Sequence, residues 1–397
     1  MARRLPHGLI NWRYLQPGAD EQVRLHRRLW WESGRRRPRA LWCLGELWLW
    51  LRWVLAHGPL AAWRAVRRFG PEVAAREGIP LRRQHQRVLA LALGWCIPPA
   101  DVYRFRLYRL QVAPLDYVFD HETAAYHAWR SRPLGLRPAS VALLQDKEAL
   151  GRALEPLGIP VARTHAVAPL GDAITLSRRM DGLERVFCKS RSGNQGRGAF
   201  AAWRSAEGLA GRAFDGRALT DTALVEAAWR ALVAADDTLL QPLLTNHPTL
   251  APLAEGGDAI TLRFISQWQG KDLTCLSATL EVPAGKHPRS GRPLYVILPI
   301  EPATGELRPF PDEALPDAEA RARAHQLWGR VRHMGCLPGW PALAAASCRA
   351  HALFPDLWAL AWDWVLTPDG PILLEGNTGW GVATVQMLQG GFLRSRN

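Results

Sequence analysis

The distribution of hydrophobic and polar positions divides the chain into a helical first part and a mixed remainder. Residues 1–110 have the pattern of a helical region that is rich in Arg and Trp. Their most apolar stretch runs from Leu41 to Ala56, and its charged residues are Glu46 and Arg52. It is shorter than the ~20 apolar residues that a helix needs to cross a bilayer. We therefore predict a helical region over residues 1–110.

From about residue 140 the pattern changes to short helices and strands. Helical patterns cover the segments Asp146–Leu157, Ala206–Ala235, Asp317–Met334 and Trp340–Phe354. Strand patterns cover a segment that ends near Val167, then 184–189, Ala199–Trp203, Thr238–Leu244, Ala259–Gln267 and Leu273–Val282. Because the strands and helices do not alternate regularly as βαβ units, they indicate an α+β body.

Two apolar runs near the C-terminus, 361–367 and 371–377, flank the turn sequence Pro-Asp-Gly. They predict a β-hairpin with a three-residue loop, in which Thr367 faces Pro371. Side chains alternate between the two faces of a strand, so one face of this hairpin is expected to be apolar. That face would carry Trp362, Trp364, Leu366, Ile372 and Leu374.

The other face of the hairpin carries Asp363, Glu375 and Asn377, and the same register sets the two acids directly opposite each other. Carboxylates roughly 5 Å apart across a ladder repel each other, so something must offset the repulsion. A hard divalent cation held by oxygen ligands does so, and the Asn adds a neutral oxygen. An exposed polar face that tolerates a like-charge pair, or a proton shared between the acids, also accounts for the pattern.

A glycine-rich segment follows the strand that ends at Lys189. Gly193, Gly196 and Gly198 allow backbone N–H groups to converge on an anion, and the lysine adds a positive charge. The segment is not a Walker loop, which requires GxxxxGK[ST]. Since only four of the 50 basic residues are lysines, a lysine at this position strengthens the case for an anion-binding loop, and an ordinary glycine-rich turn stays an equal alternative.

The net charge of +14 belongs to the first third of the chain. Residues 1–110 contain 21 Arg or Lys and 7 Asp or Glu, whereas residues 111–397 contain 29 of each. Nine of the 19 tryptophans lie in the same first third. The apolar stretch of this region is predicted to be either a buried or half-buried helix in a helical N-terminal domain or part of a peripheral contact for an anionic membrane surface. Because no reader motif accompanies the charge, nucleic acid is not expected as a partner.

Other metal and nucleophile patterns are weak. The six cysteines stand far apart without a CxxC pair, which predicts neither a zinc site nor a disulfide framework. His121 and His127 lie six residues apart and fail the HExxH spacing, and His351 is expected to pack rather than to act as a base. The first residues lack the apolar core of a signal peptide. We expect a cytoplasmic protein, either free or peripheral at the inner face of the membrane.

The signals follow one another in a distinctive order: Asp146-Lys147 at the head of a helix, Gly158-Ile159-Pro160, Lys189 with the glycine-rich loop, the strand 239–243, Arg263, the strand of Asp363, and Glu375-Gly376-Asn377. Over roughly residues 100–390 this order resembles the ATP-grasp superfamily. Further segments make the chain similar to the sugar-transfer-associated ATP-grasp family: Asn246–Leu250, Asp258–Arg263, His351–Pro355 and Glu375–Trp380.

The resemblance implies an ATP-grasp fold, in which two α+β lobes clasp ATP, with the basic, Trp-rich helical region before it. The implied boundaries are 1–110 for the helical region, 111–235 for the first lobe with the glycine-rich loop, and 236–397 for the second lobe with the metal site. ATP and Mg²⁺ are the implied cofactors.

The resemblance also assigns residues to the site. The implied nucleotide-binding residues are Lys147, Lys189, Ser192, Gly193, Gly196, Gly198, Leu240 and Gln241. Within this set the loop closes over the β- and γ-phosphates, and the residues at 240 and 241 form the hinge strand against adenine. Arg263 and Lys189 are the implied catalytic residues. Asp363, Glu375 and Asn377 are the implied magnesium ligands.

Three positions depart from the family pattern. Ile260 replaces a usual Asn, and Ser190 replaces a common Pro. An Arg- and Gly-rich stretch is replaced by Ser277–Gly285, which leaves Lys286 as the nearest cation. The changes at Ile260 and at Ser277–Gly285 concern the contacts to the acceptor substrate and the efficiency of turnover.

Together these features favour a ligase that activates a carboxylate as an acylphosphate for attack by an amine or amino-sugar substrate. The family resemblance implies a role in surface polysaccharide biosynthesis. A phosphotransferase on the same fold and a membrane-associated nucleotide-binding scaffold with little catalysis are the alternatives.

Overall fold

The computed structural model of the chain describes residues 11–35, 37–193, 196, 198–254, 258–286, 293–315 and 317–394. Within these residues the α-helices are α1 (Glu21–Gly34), α2 (Arg39–Arg52), α3 (Gly58–Glu77), α4 (Leu81–Trp95), α5 (Pro99–Arg104), α6 (Thr123–Ser131), α7 (Pro138–Gln145), α8 (Lys147–Leu154), α9 (Leu176–Arg179), α10 (Thr222–Val233), α11 (Ala318–Val331), α12 (Trp340–Ala352) and α13 (Val382–Gln389). The strands are β1 (Ala166–Ala168), β2 (Arg185–Ser190), β3 (Phe200–Ser205), β4 (Gly208–Ala213), β5 (Ala218–Leu219), β6 (Thr238–Pro242), β7 (Thr261–Gln269), β8 (Asp272–Lys286), β9 (Pro293–Ile300), β10 (Ala359–Thr367) and β11 (Gly370–Asn377).

Packing divides the chain into two compact units, and the first unit is helical. It comprises residues 1–136, 309–326 and 379–397. Its main core is formed by apolar side chains of α3, α4 and α5 and of the segment that follows α5, and side chains of α13 pack against it. The helical region therefore extends past the predicted boundary at residue 110, because its core includes segments from much later in the chain.

Helices α1 and α2 meet through large aromatic side chains. The ring of Trp42 lies 4.6 Å from that of Trp30, measured between centroids. Gly34 makes this approach possible, since a Cβ atom there would come within 2.4 Å of the Trp42 ring. A π-helical turn, Trp53–His57, then joins α2 to α3. None of the helices that the structure describes is long and apolar enough to cross a membrane.

The second unit comprises residues 137–308 and 327–378 and contains two antiparallel sheets. One sheet has the strand order β1-β6-β2-β3-β4-β5 and packs against α10. The other has the order β11-β10-β7-β8-β9 and packs against α12. We call these two layers the first lobe and the second lobe. The predicted α+β architecture is confirmed, although β6 belongs to the first lobe and carries it past the predicted boundary at residue 235.

The side chains of strand β2 alternate between the two faces of the sheet, and this alternation determines the face on which Lys189 lies. Val186 and Cys188 are fully buried in the core of the first lobe, where Trp229 of α10 is also buried. Phe187 and Lys189 are half-buried. Because successive side chains point to opposite faces of a sheet, Lys189 lies on the face away from this core.

Part of the predicted helix over 206–235 is wrong, since residues 208–213 form strand β4. Gly208 has a φ of +118°, a conformation that a helix does not use. Gly211 lies so close to β3 that a Cβ atom would come within 2.5 Å of the Ala201 carbonyl oxygen. The glycines therefore outweigh the helical preference of the neighbouring Ala and Leu residues.

The β10–β11 hairpin has the predicted acid pair but a different turn. Asp363 is paired with Glu375, as expected, whereas Thr367 is paired with Gly370, so the loop has two residues instead of three. A β-bulge at position 374 restores the register, and Leu373 rather than Leu374 lies opposite Trp364. The predicted composition of the apolar face is therefore wrong in β11, because a bulge shifts the alternation by one residue.

Candidate functional site

Four strands of the second lobe bring three acids and one arginine together. Asp363 lies between Glu375 of β11 and Arg263 of β7, which are its ladder partners on either side. The guanidinium donates to Asp363 through two bonds, Nε to Oδ1 at 2.8 Å and Nη2 to Oδ2 at 3.0 Å. Its Nη1 lies 3.0 Å from Oε1 of Glu281 on β8. This fork geometry is the strong, bidentate form of an Arg–carboxylate pair.

Glu281 is a site residue that the sequence analysis missed. The carboxylate is a lone acid in an otherwise uncharged part of β8, and that isolation is the signal that was available. Burial raises the pKa of Glu281, and the charge of Arg263 opposes that rise. Burial likewise raises the pKa of Asp363, with Arg263 acting against it and Glu375 adding to it.

Asn377 lies next to both carboxylates of the hairpin. Its Nδ2 atom lies 3.2 Å from Oδ2 of Asp363 and 3.3 Å from Oε1 of Glu375, so the amide donates to both carboxylates. The predicted trio is thus brought to one place. An oxygen of the same amide would face the carboxylates after a half-turn about the terminal side-chain bond.

Two lysines approach these acids from the first lobe and from α8. Lys147 Nζ donates to the Gly193 carbonyl oxygen at 2.5 Å and lies 3.6 Å from Oε2 of Glu375. Burial lowers the pKa of Lys189 to about 8, opposed by the charge of Glu375 and reinforced by that of Lys147. The site therefore contains three basic side chains, those of Lys147, Lys189 and Arg263, beside the three carboxylates of positions 281, 363 and 375.

The described part of the glycine-rich loop is held by a carboxylate. Asp236 accepts hydrogen bonds from the Ser190 hydroxyl and from the N–H and hydroxyl of Ser192, the latter two at 3.0 and 2.6 Å. The Gly193 N–H donates to Ser190 Oγ at 2.8 Å. Ser192 is therefore turned toward Asp236, a residue that the sequence analysis missed because helix α10 and three strands separate the two in the chain.

Two glycines of the same loop need their conformational freedom. Gly196 and Gly198 have φ values of +61° and +75°. A Cβ atom at Gly196 would also come within 2.6 Å of the Phe214 ring. Asn194, Gln195 and Arg197 lie outside the described residues.

A small cleft lies beside Lys147. Its lining includes Leu150 and Leu154 of α8, Val161, Gln241, Leu373 and Glu375. Gln241 reaches this cleft, and its Nε2 donates to the Ala162 carbonyl oxygen at 3.0 Å. Leu240 does not reach it, since its side chain is fully buried in the core of the first lobe. The alternation along β6 explains the difference, because neighbouring residues point to opposite faces.

The donor set fits a hard cation such as Mg²⁺. Asp363 and Glu375 offer carboxylate oxygens, and Asn377 offers an amide oxygen, which are the ligand types this ion prefers. Asp363 Oδ1 accepts from Arg263 and keeps a second lone pair. Oδ2 accepts from both Arg263 and Asn377, and it would regain a lone pair after the half-turn of the Asn377 amide. Among the described residues no three His, Cys, Asp or Glu side chains gather as a metal cluster, so the Asn oxygen would be an essential third ligand.

Two antiparallel lobes, a strand-borne lysine before a glycine-rich loop, and a hairpin with an Asp opposite a Glu-x-Asn sequence together define the ATP-grasp fold. The sequence pattern of the sugar-transfer-associated ATP-grasp proteins matches residues 136–397, about two thirds of the chain, and the chain belongs to this family. No curated protein sequence matches the chain.

Several solved structures are similar at low identity. D-alanyl-alanine synthetase A from Vibrio cholerae has 12% identity and a TM-score of 0.39, covering 63% of this chain and 60% of its own. An L-amino acid ligase from Bacillus licheniformis has 13% identity and a TM-score of 0.35, covering 63% and 44%. The biotin carboxylase domain of 2-oxoglutarate carboxylase from Hydrogenobacter thermophilus, in complex with MgADP, ADP and bicarbonate, has 15% identity and a TM-score of 0.36, covering 70% and 52%. The chain thus spans less than two thirds of the length of each of these proteins.

Proposed function

We propose that the protein is an ATP- and Mg²⁺-dependent ligase that activates a carboxylate as an acylphosphate and transfers the acyl group to an amine. The observation that carries this proposal is the meeting of Lys147, Lys189 and Arg263 with the carboxylates of Asp363 and Glu375. Such a site supplies positioned charge for phosphoryl transfer and needs no nucleophilic side chain.

The side chains divide into phosphate and metal contacts. Lys147 and Lys189 would bind the phosphates of ATP together with the glycine-rich loop. Asp363, Glu375 and Asn377 would hold Mg²⁺, which neutralises phosphate charge when it is bound. Without nucleotide, the positive charges of the two lysines offset the negative charges of the acids. The phosphates of ATP would pair with the lysines and Mg²⁺ with the carboxylates, so each of the two would contact side chains of opposite charge.

The proposed reaction has two balanced steps. A substrate carboxylate oxygen attacks the γ-phosphorus of ATP, the bond to the β-phosphate oxygen breaks, and ADP leaves. The amine nitrogen then attacks the acyl carbon, phosphate leaves, and the nitrogen loses a proton to solvent. Arg263 uses three of its five N–H groups on Asp363 and Glu281, so two remain for the acylphosphate oxygens.

The amine and the acid are proposed only by chemical class. The family association with sugar transfer supports a role in surface polysaccharide assembly, with an amino sugar as one amine to test. Ile260 is buried, and its N–H donates to the Asn246 side chain at 2.8 Å. Its side chain is therefore not a polar contact for the acceptor.

Product analysis tests the reaction type. Purified protein is incubated with ATP, Mg²⁺ and panels of carboxylates and amines, and ADP, phosphate and amine are measured. We expect ADP and phosphate in equal amounts, with matching loss of amine. ADP without phosphate would instead identify a phosphotransferase, and ATP binding without ADP release would identify a scaffold.

Replacing Lys189 with methionine is expected to weaken ATP binding by about 1.5–3 kcal/mol, or about 10- to 150-fold, because a charge-assisted contact to phosphate is lost. Isothermal titration calorimetry measures the affinity. Lys271→Met is the matched control, since Lys271 is exposed in the turn between β7 and β8. An unchanged affinity in Lys189→Met would remove this lysine from the nucleotide site.

ATP affinity is expected to fall as the pH rises through about 8, the lowered pKa of Lys189. The free protein loses the ammonium proton above that pH, whereas bound phosphate favours the protonated lysine, so binding becomes linked to proton uptake. Lys189→Arg should flatten the profile between pH 7 and 9, roughly, because a guanidinium stays charged. A wild-type profile without this decline would contradict the assignment.

A further inference from the structure

One face of helix α2 and of the π-helical turn after it is apolar and exposed. Five large side chains recur there at intervals of three or four residues: Leu41, Leu44, Trp48, Leu51 and Leu55. This spacing places them along one side of a helix. Leu41 and Leu55 are 72% and 78% exposed, and Trp48 is 65% exposed. We call this set the α2 stripe.

The α2 stripe is not interrupted by exposed polar side chains. Within residues 40–56, all of which are described, every exposed residue is Ala, Gly, Leu or Trp. The two charged residues of the segment are not exposed, because Glu46 is buried and Arg52 is half-buried. A surface helix normally turns its polar side to water, and a contiguous exposed apolar patch marks an interaction site.

Helix α1 and the connection that follows it carry exposed basic side chains. Exposed arginines precede the stripe at positions Arg24, Arg28, Arg35, Arg37 and Arg39. Arg24 and Arg28 share one side of α1 with the exposed Trp31, and Arg35 directly follows the end of the helix. None of the five arginines forms an ion pair with another described residue. Their charge is therefore available to an external anion.

We propose that the α2 stripe inserts into the headgroup layer of an anionic membrane, with the arginines of α1 and of the α1–α2 connection bound to lipid phosphates. Leucines reaching the acyl boundary, a tryptophan at the interface and arginines at the headgroups are the arrangement of an interfacial helix. The segment lies on the bilayer and does not span it. The basic charge of this unit disfavours a second copy as the occupant, and a nucleic acid would leave the leucines in water.

The experiment is sedimentation of the full-length chain with two kinds of vesicle, phosphatidylcholine alone and phosphatidylcholine with about one third phosphatidylglycerol. We expect binding to the anionic vesicles at least about tenfold tighter than to the neutral ones. Raising the salt from about 0.1 M to 1 M shortens the Debye length from about 10 to 3 Å and should weaken the binding. Equal binding to both vesicles, or no binding to either, would overturn the proposal.

Two double variants separate the stripe from leucines in general. Leu44→Glu with Leu51→Glu places charges in the stripe and should reduce anionic-vesicle binding at least about tenfold. Leu110→Glu with Leu170→Glu is the control, since these leucines are 82% and 62% exposed and lie outside the stripe. Both should keep the wild-type circular dichroism spectrum, because all four positions are exposed.

Two further measurements can overturn the idea. Equal loss of vesicle binding in the stripe variant and in the control variant would show that the stripe is not the contact. Light scattering without lipid would reveal a second copy as the occupant if the wild type is a dimer that only the stripe variant dissociates. A monomer whose Trp fluorescence is quenched by brominated anionic lipid, with less quenching in Trp48→Phe, supports insertion.

Discussion

Glu375→Gln is expected to lower kcat/KM at least about a hundredfold while the protein stays folded. The substitution keeps the size of the side chain and removes one of the two carboxylate charges proposed to hold Mg²⁺. Glu375 is 29% exposed as a side chain, and its partner Lys147, although only 7% exposed, keeps its hydrogen bond to the Gly193 carbonyl oxygen, so the variant should stay folded. ATP turnover measured across a Mg²⁺ titration should show both the loss and a higher Mg²⁺ requirement.

Glu306→Gln provides the matched control for this prediction, because the Glu306 side chain is 40% exposed and pairs only with Arg308 among the salt bridges described. Its turnover and its Mg²⁺ dependence should equal those of the wild type. If Glu375→Gln keeps wild-type turnover and Mg²⁺ dependence, the hairpin does not hold the metal, and the like-charge pair is explained by its lysine and arginine neighbours.

The largest expected effect on stability comes from Asp363→Asn, with a loss of about 3 kcal/mol in the free energy of unfolding. Asp363 is 8% exposed as a side chain and accepts both arms of the Arg263 fork. An amide can replace only one of those acceptors and carries no charge. The Arg263 guanidinium, which is itself partly exposed, would then keep the Glu281 carboxylate as its charged partner.

Urea unfolding followed by circular dichroism measures this loss. Asp369→Asn is the control, since it makes the same chemical change in the exposed turn of the same hairpin and should shift the free energy of unfolding by less than about 0.5 kcal/mol. Equal stability of the two variants would mean that the Arg263–Asp363 pair contributes nothing that an amide cannot supply.

Local sequence patterns were sufficient for several parts of the candidate site. The strand-borne Lys189 before the glycines could be seen without a structure, and so could the polar positions of Asp363 and Glu375, although their pairing also required the bulge at position 374 to offset the shorter turn. These features depend on neighbouring residues, whose spacing determines the face on which each side chain lies. The α+β character followed from the same local periodicity, and the order of the motifs pointed to the family.

The partners of these residues were decided only by the tertiary structure. Arg263 and Asp363 lie on strands that are far apart in sequence, and Glu281 and Asp236 join the site through sheet pairing and loop packing that no local pattern encodes. The bulge at position 374 is likewise visible only in the strand pairing, where it offsets the two-residue turn.

The same distinction holds for α2. The sequence alone predicts that Leu41 to Ala56 is an apolar helix, and it does not determine whether the apolar side is buried against other helices or exposed. The composition determines that such a helix has an apolar side, and its length determines that it does not span a bilayer. Which side meets other helices depends on Trp42 and Trp53 finding buried positions in the first unit, and that packing leaves the α2 stripe exposed.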